Sequence, residues 1–391
     1  MKLGDICEIK HGFAFKGEYF CDTATDYLLL TPGNFAIGGG FQEKAKYYNG
    51  PIPEVYILKK DDLIVTMTDL SKQGDTLGYS AFVPCDNRYL HNQRIGLITV
   101  TSPHALKNYI YWLMRTRDYQ RYIVNHASGS TVKHTAPKVI LGYEFDLPTL
   151  DEQRKIADTL SALDARIAEN TKINHHLEQM AQAIFKSWFV DFEPWGGVMP
   201  DDWREGMLSE IANITMGQSP SGTSYNEDGI GTVFYQGRAE FGSRFPTRRL
   251  FTTEPKRMAA KDDVLMSVRA PVGDLNVAFE PCCLGRGLAG IQSNSGHQSF
   301  VLYTMFALKQ QLDMFNGEGT VFGSINKNDL ANLPVIIPTD EVIRQFQEVA
   351  SPMDATIETN YAEICNLHAT RDSLLPRLMS GEVSLADLAA K

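Results

Sequence analysis

The sequence contains itself twice. Residues 147–189 align without a gap with residues 337–379, at a constant offset of 190. Nine of the 43 paired positions are identical: Pro148/Pro338, Thr149/Thr339, Arg154/Arg344, Ser161/Ser351, Asp164/Asp354, Ala165/Ala355, Ile167/Ile357, Asn170/Asn360 and Leu177/Leu367. Upstream the match continues while the offset drifts. It is 190 for Gly129/Gly319, 197 for Pro84-Cys85/Pro281-Cys282, 201 for Lys60-Asp61-Asp62/Lys261-Asp262-Asp263 and 205 for Gly12/Gly217. Surface loops accept insertions and packed helices do not. The chain therefore divides into globular parts whose loops vary, 1–147 and 197–336, and helical parts of fixed length, 148–196 and 337–391.

The helical parts carry their own start and stop signals. Thr149-Leu150-Asp151-Glu152 has the pattern of a capping box, threonine accepting from the third helical amide and glutamate answering back. Pro194 and Gly196-Gly197 end the first helix, and Pro352 predicts that the second is kinked or begins there. A seam recurs at 3-4-3-4 spacing: Leu160, Leu163, Ile167, Leu177, Ala181, Ile184 and Trp188 in the first copy, with Asn170 and Asn174 in the two remaining places, and Ala350, Met353, Ile357, Ile364, Leu367, Leu374 and Leu378 in the second, with Asn360 and Arg371 filling in. Asn170 and Asn360 occupy the same seam register. This narrow stripe is that of a coiled coil, where a buried asparagine fixes alignment at a cost in stability. If the helices run antiparallel, the two asparagines either face each other or sit solvated at a splayed point. Forty residues of helix would span about 60 Å, enough for a spacer between two similar heads.

The charge is unevenly placed. Of the net −10, the segments 148–196 and 337–391 hold −3 and −5, whereas 1–147 is at +1 and 197–336 at −3. Within the second head, 235–257 gathers Arg238, Arg244, Arg248, Arg249, Lys256 and Arg257 among Tyr235, Phe241, Phe245 and Phe251. Arginines among aromatics suit phosphate contact and base-edge reading. In the first head, Asp86–Arg94 offers Arg88, His91, Asn92, Gln93 and Arg94, and a second polar loop offers Lys72, Gln73 and Thr76. No apolar run reaches the roughly 18 residues of a membrane span, and the first residues lack an apolar signal core, so a cytoplasmic protein is expected. The six cysteines form no CxxC pair, which argues for free thiols and against zinc.

Catalytic and metal motifs are missing from the reading. There is no GxxxxGK[ST] loop and no GxGxxG after a strand. Glu8-Ile9-Lys10 lacks the acidic partners of a nuclease ExK pair, and His175-His176 lies on a polar helix face. An Asn/Asp-Pro-Pro-aromatic methyltransferase site is also absent.

At this point the residues resemble a family, the specificity (S) subunits of type I restriction-modification enzymes, along the whole chain. The resemblance rests on Leu147-Pro148 with Asp151-Glu152-Gln153-Arg154-Lys155-Ile156-Ala157, on Phe185-Lys186-Ser187-Trp188-Phe189-Val190-Asp191-Phe192-Glu193-Pro194, and on Leu374–Glu382. Asp263–Gly273 and Gly285-Arg286-Gly287-Leu288-Ala289 add to it. It implies an α+β fold with an internal pseudo-two-fold repeat. Two similar globular α/β target-recognition domains (1–147 and 197–336) are separated by two long helices that form an antiparallel coiled coil. It implies a non-catalytic chain that reads a bipartite, asymmetric duplex DNA target. Two methyltransferase (M) subunits would dock on it, and restriction (R) subunits would complete the complex. S-adenosylmethionine, ATP and Mg would sit on those partners, with no cofactor in this chain. Lys72, Gln73, Arg88, Asn92, Gln93, Arg94, Arg238, Arg244, Arg248, Arg249 and Arg269 are the expected DNA contacts. The acidic helices, through Glu169, Glu178 and Glu358, are the expected docking face for M subunits. The competing readings are a two-headed coiled-coil protein adaptor, which predicts no salt-dependent duplex binding, and a stand-alone nuclease or methyltransferase, which predicts activity in the single chain.

Overall fold

A computed structural model describes residues 1–71, 73–317 and 323–383. Lys72, Gly319 and the tail beyond 383 lie outside the described residues. The chain forms two compact units, Met1–Ile167 with Cys365–Lys391, and Ala168–Ile364. Each unit thus combines one globular part with part of both long helices. The sequence boundaries treated the helices as segments of their own; the packing instead assigns each helix to both units.

In unit 1 the main sheet is antiparallel, with Cys7–His11, Ile95–Val100, Leu63–Thr66 and Ser80–Phe82 as neighbours in that order. A second sheet joins Phe20–Cys21, Tyr47–Tyr48, Leu28–Leu29 and Tyr89–Leu90, the last pair parallel. The strand Leu63–Thr66 shows why the fold needs both layers. All four of its residues are buried. Side chains alternate across a strand, so Leu63 and Val65 enter one core and Ile64 enters another. The first core also takes Ile156, Ala157 and Leu160 from the first long helix and Leu375 and Leu378 from the second.

Unit 2 repeats the plan. Ala212–Met216, Leu288–Ser293, Val264–Ser267 and Leu275–Val277 form the antiparallel sheet, beside a five-stranded sheet that contains one parallel pair. Val264 and Met266 face one core and Leu265 the other. The helices contribute Ala181, Phe185 and Phe189, and Ile343, Phe346, Ala350 and Ile357. An additional two-stranded ribbon, Arg204–Met207 with Pro334–Ile337, leads into the second helix.

The repeated motifs mark the same turn in both units. Asp61 and Asp262 adopt φ of 62° and 70°, a left-handed conformation that aspartate tolerates better than most residues. The next residue closes the turn: the Asp62 carboxylate accepts from the Lys59 amide at 2.8 Å, and that of Asp263 from the Ala260 amide at 2.7 Å.

The first long helix runs Leu150–Phe189 and the second Asp340–Met379. The capping box is present, with the Thr149 and Glu152 amides donating to Glu152 Oε2 and Thr149 Oγ1 at 3.0 and 3.4 Å. The helix ends through Phe192, held at φ 53° ahead of Pro194. The second helix does not begin at Pro352; it starts twelve residues earlier and continues past it. Pro352 lies on the exposed face, where the carbonyl it leaves unpaired can be hydrated.

All the seam positions named above are buried or half-buried. In unit 2 the helices run antiparallel: Asn170 faces Glu363, Asn174 faces Asn360, and Phe185 stacks edge-on against Phe346. Asn170 and Asn360 do not meet, because the register places Asn360 opposite Asn174, donating to its Oδ1 at 2.8 Å. Asn170 is not solvated: it is 1% exposed and donates to the Glu363 carboxylate at 2.9 Å, whereas Asn360 is half-buried.

Phe346 is fully buried and stacks on five rings of helix and globular part. Phe346→Ala should cost about 3–5 kcal/mol, whereas Glu348→Ala on the exposed face should cost within about 0.5 kcal/mol. Urea unfolding of the two variants measures the difference.

Candidate nucleic-acid interface

The candidate surface is built on one turn that recurs in both units. In unit 1 it is Asn92-Gln93-Arg94, between Tyr89–Leu90 and Ile95–Val100; in unit 2 it is Gly285-Arg286-Gly287, between Cys282–Leu284 and Leu288–Ser293. The backbone bonds correspond. Met67 N–H donates to Arg94 O and Val268 N–H to Gly287 O, both at 2.9 Å. His91 N–H donates to Tyr56 O, and Leu284 N–H to Arg257 O. The repeated glycines explain themselves here. A Cβ on Gly12 would lie 2.1 Å from Asn92 O, and one on Gly217 2.1 Å from Gly285 O. Backbone meets backbone at that point, so only glycine fits.

Beside this turn in unit 1 is a groove of about 810 Å³. Phe15, Phe20, Lys44 and Lys46 line it together with Asn92, Gln93 and Arg94. Lys46 Nζ lies 4.3 Å from the Phe20 ring centroid. Three expected contacts thus converge, and two lysines join them that no sequence pattern singled out: both stand on the separate loop that leads into Tyr47–Tyr48. Gln93 and Arg94 are exposed, and among the described residues no hydrogen bond or ion pair engages the Arg94 guanidinium. Arg88 is exposed and 4.0 Å from Glu43. Lys72 lies outside the described residues.

Gln73 is exposed on a loop that Asp69 holds. The Asp69 carboxylate, 4% exposed, accepts from the Ser71 amide at 2.6 Å and from the Thr76 amide and hydroxyl at 2.5 and 2.8 Å. Burial alone would raise its pKa, but these hydrogen bonds overrule it and hold the carboxyl below the ordinary range. His91 is structural: fully buried, it uses Nε2 on Ile95 O at 2.9 Å, and burial depresses its pKa to about 4.

The arginine patch of unit 2 is largely neutralised. Folding pairs its arginines with acids, most of them from outside the segment. Arg238 pairs with Asp274, Arg248 with Glu280, and Arg249 with Glu240 at 2.5 Å. Arg244 is not a surface residue. Its side chain is 8% exposed and its guanidinium donates to Glu178 at 3.0 Å and Asp354 at 2.5 Å, both on the long helices. Burial opposes its charge, but Asp354, Tyr303 and Glu178 raise its pKa. It joins the recognition fold to the helices and is closed to DNA. Arg269 remains exposed, with no side-chain partner among the described residues.

Folding also engages part of the expected acidic docking face. Glu178 is committed to Arg244, and Glu358 pairs with Lys261 at 2.6 Å. Glu169 also has a partner. Reversing these charges would break internal joints, so it cannot report on docking.

Comparison with known proteins agrees with this construction. The family model for the type I restriction modification DNA specificity domain matches residues 1–179 and 200–366. The chain therefore belongs to the family of type I restriction-modification specificity subunits, the non-catalytic component that recognises DNA. A putative type I restriction enzyme MjaX specificity subunit from Methanocaldococcus jannaschii is 32% identical, over 75% of this chain and 72% of that one. The EcoBI specificity subunit of Escherichia coli is 22% identical, over 98% of this chain and 86% of that one. The crystal structure of a type I system S subunit from M. genitalium shares the fold, with a TM-score of 0.63 at 17% identity, over 97% of this chain and 95% of that one. The reading of the chain as a protein adaptor without DNA specificity finds no support. The names of these relatives describe each as one subunit of a type I restriction enzyme. Among the described residues, no helix is long and apolar enough to cross a membrane.

Two outcomes follow. Arg244→Ala should destabilise the protein by roughly 3 kcal/mol, because it leaves Glu178 and Asp354 without their buried partner; it should leave the salt dependence of DNA binding unchanged. Denaturant unfolding and binding titrations together test this. For Asp69, the folded-state pKa lies below the unfolded value of about 3.9. Its stabilisation is therefore fully present above that pH and lost as pH falls through the folded value. At neutral pH, Asp69→Asn should accelerate hydrogen exchange at the Ser71 and Thr76 amides, and unchanged rates would contradict the assignment.

Proposed function

We propose that the chain reads a two-part, asymmetric duplex target, one half through each unit, and seats two methyltransferase (M) subunits that modify an adenine in each half. Restriction (R) subunits join the same assembly in the cytoplasm. S-adenosylmethionine, ATP and Mg serve those partners. The observation that carries the reading is the repeated turn: one backbone frame, locked by Gly12 and by Gly217, displays Asn92-Gln93-Arg94 in one unit and Gly285-Arg286-Gly287 in the other. Equal frames with unequal side chains are what two different half-sites require, since base edges in the major groove are told apart by donor and acceptor pattern.

Methylation mapping of the source genome tests it. The expected result is one motif with two dissimilar halves, each carrying a modified adenine. Removing residues 197–336 should abolish or alter recognition of one half only. A single continuous motif, or loss of both halves together on every change to 197–336, would overturn the reading.

A further inference from the structure

Once ion pairs are subtracted, the free arginines of unit 2 are one at the end of its arginine-rich segment and two beyond it. Arg257, Arg269 and Arg286 are exposed, and none has a side-chain hydrogen bond or ion pair among the described residues. They are far apart in sequence but linked through backbone hydrogen bonds to one turn. Arg286 is the centre of the glycine-locked turn. Leu284, which enters that turn, donates its amide to Arg257 O at 2.7 Å. Gly287, which leaves it, accepts from the amide of Val268, the residue before Arg269, at 2.9 Å. All three therefore flank one rigid element.

The equivalent positions of unit 1 carry no cation. Tyr56 stands in the place of Arg257, since His91 donates to its carbonyl as Leu284 does to that of Arg257. Thr68 stands in the place of Arg269; it is 3% exposed and its hydroxyl meets His134 Nδ1 at 3.1 Å. Gln93 stands in the place of Arg286.

We propose that Arg257, Arg269 and Arg286 form a phosphate clamp by which unit 2 holds the backbone of its DNA half-site, and that unit 1 has no counterpart at these positions. The inference rests on the DNA-reading function proposed above and adds the residues that do the holding. Arginine suits this task because its planar fork meets phosphate oxygens two at a time. The turn supplies what a phosphate contact needs, a fixed origin, since Gly217, Gly285 and Gly287 all pack backbone on backbone there. Arg238, Arg248 and Arg249 would contribute little, each being already opposed by a carboxylate.

The test uses the full chain assembled with its methyltransferase subunits and a duplex carrying the mapped motif. Affinity is measured across a range of salt concentrations. Neutralising all three residues (Arg257→Gln, Arg269→Gln, Arg286→Gln) should lower the slope of log affinity against log salt by about 2.7, at about 0.9 per phosphate contact. The matching lysine triple should retain most of that slope, which separates lost charge from lost fold. Arg238→Gln with Arg248→Gln should leave it unchanged. A wild-type slope that the glutamine triple keeps overturns the clamp while leaving the DNA-reading function intact. A wild-type complex that binds no duplex overturns both.

Discussion

One carboxylate, present twice, ties each recognition fold to the helices it stands on. Asp164 accepts from Arg115 of its own recognition fold at 2.6 Å and from Arg371 of the second helix at 2.7 Å. Its repeat partner Asp354 accepts from Arg244 at 2.5 Å and from the Tyr303 hydroxyl at 2.7 Å. Both arginines are almost fully buried, which makes each joint asymmetric in energy: intact it satisfies every charge, but broken it leaves a cation without water or partner. Arg115 is further fixed by the Gly38 carbonyl, the Tyr111 hydroxyl and the face of Trp112, 4.2 Å from that ring centroid. Around each joint a helix glutamine caps a short helix of the recognition fold. Gln153 accepts from the Leu106 amide at 2.8 Å and Gln347 from the Ser299 amide at 3.1 Å. The two glutamines are one turn apart in repeat register, so the task is kept while the residue that performs it has moved.

This rigid seat gives the repeated turns a defined position relative to the helices of their own unit. Gly12 and Gly217 then lock the turns themselves, because no side chain fits where the backbones touch. What remains free to differ is the side-chain set on the turn and its neighbours. A polar set with a lysine-lined aromatic groove in unit 1, and unpaired arginines in unit 2, are two side-chain sets on one frame.

How much of this was legible in the sequence depended on range. The helix seam and the Thr149 box were readable because their partners lie three or four residues apart. The repeated Asp61/Asp262 turn and the Gly12/Gly217 pair were visible as matches, although their cause, a left-handed aspartate and a backbone contact, was not. The charges were misjudged because their partners are remote. Arg244 meets carboxylates 66 and 110 residues away, and Arg238 one 36 residues away, so a window count of charge could not see them. Register between helices failed for the same reason: periodicity identifies a seam, but only the packing of both helices puts Asn360 opposite Asn174 rather than Asn170.

The central claim is that each unit reads its own half-site on an equivalent frame. It is tested most directly by replacing residues 197–336 with a second copy of 1–147 and mapping the methylated motif of the resulting complex. The account predicts a symmetric target, with the half read by unit 1 appearing twice in inverted orientation. A motif that keeps the original, dissimilar second half would contradict it.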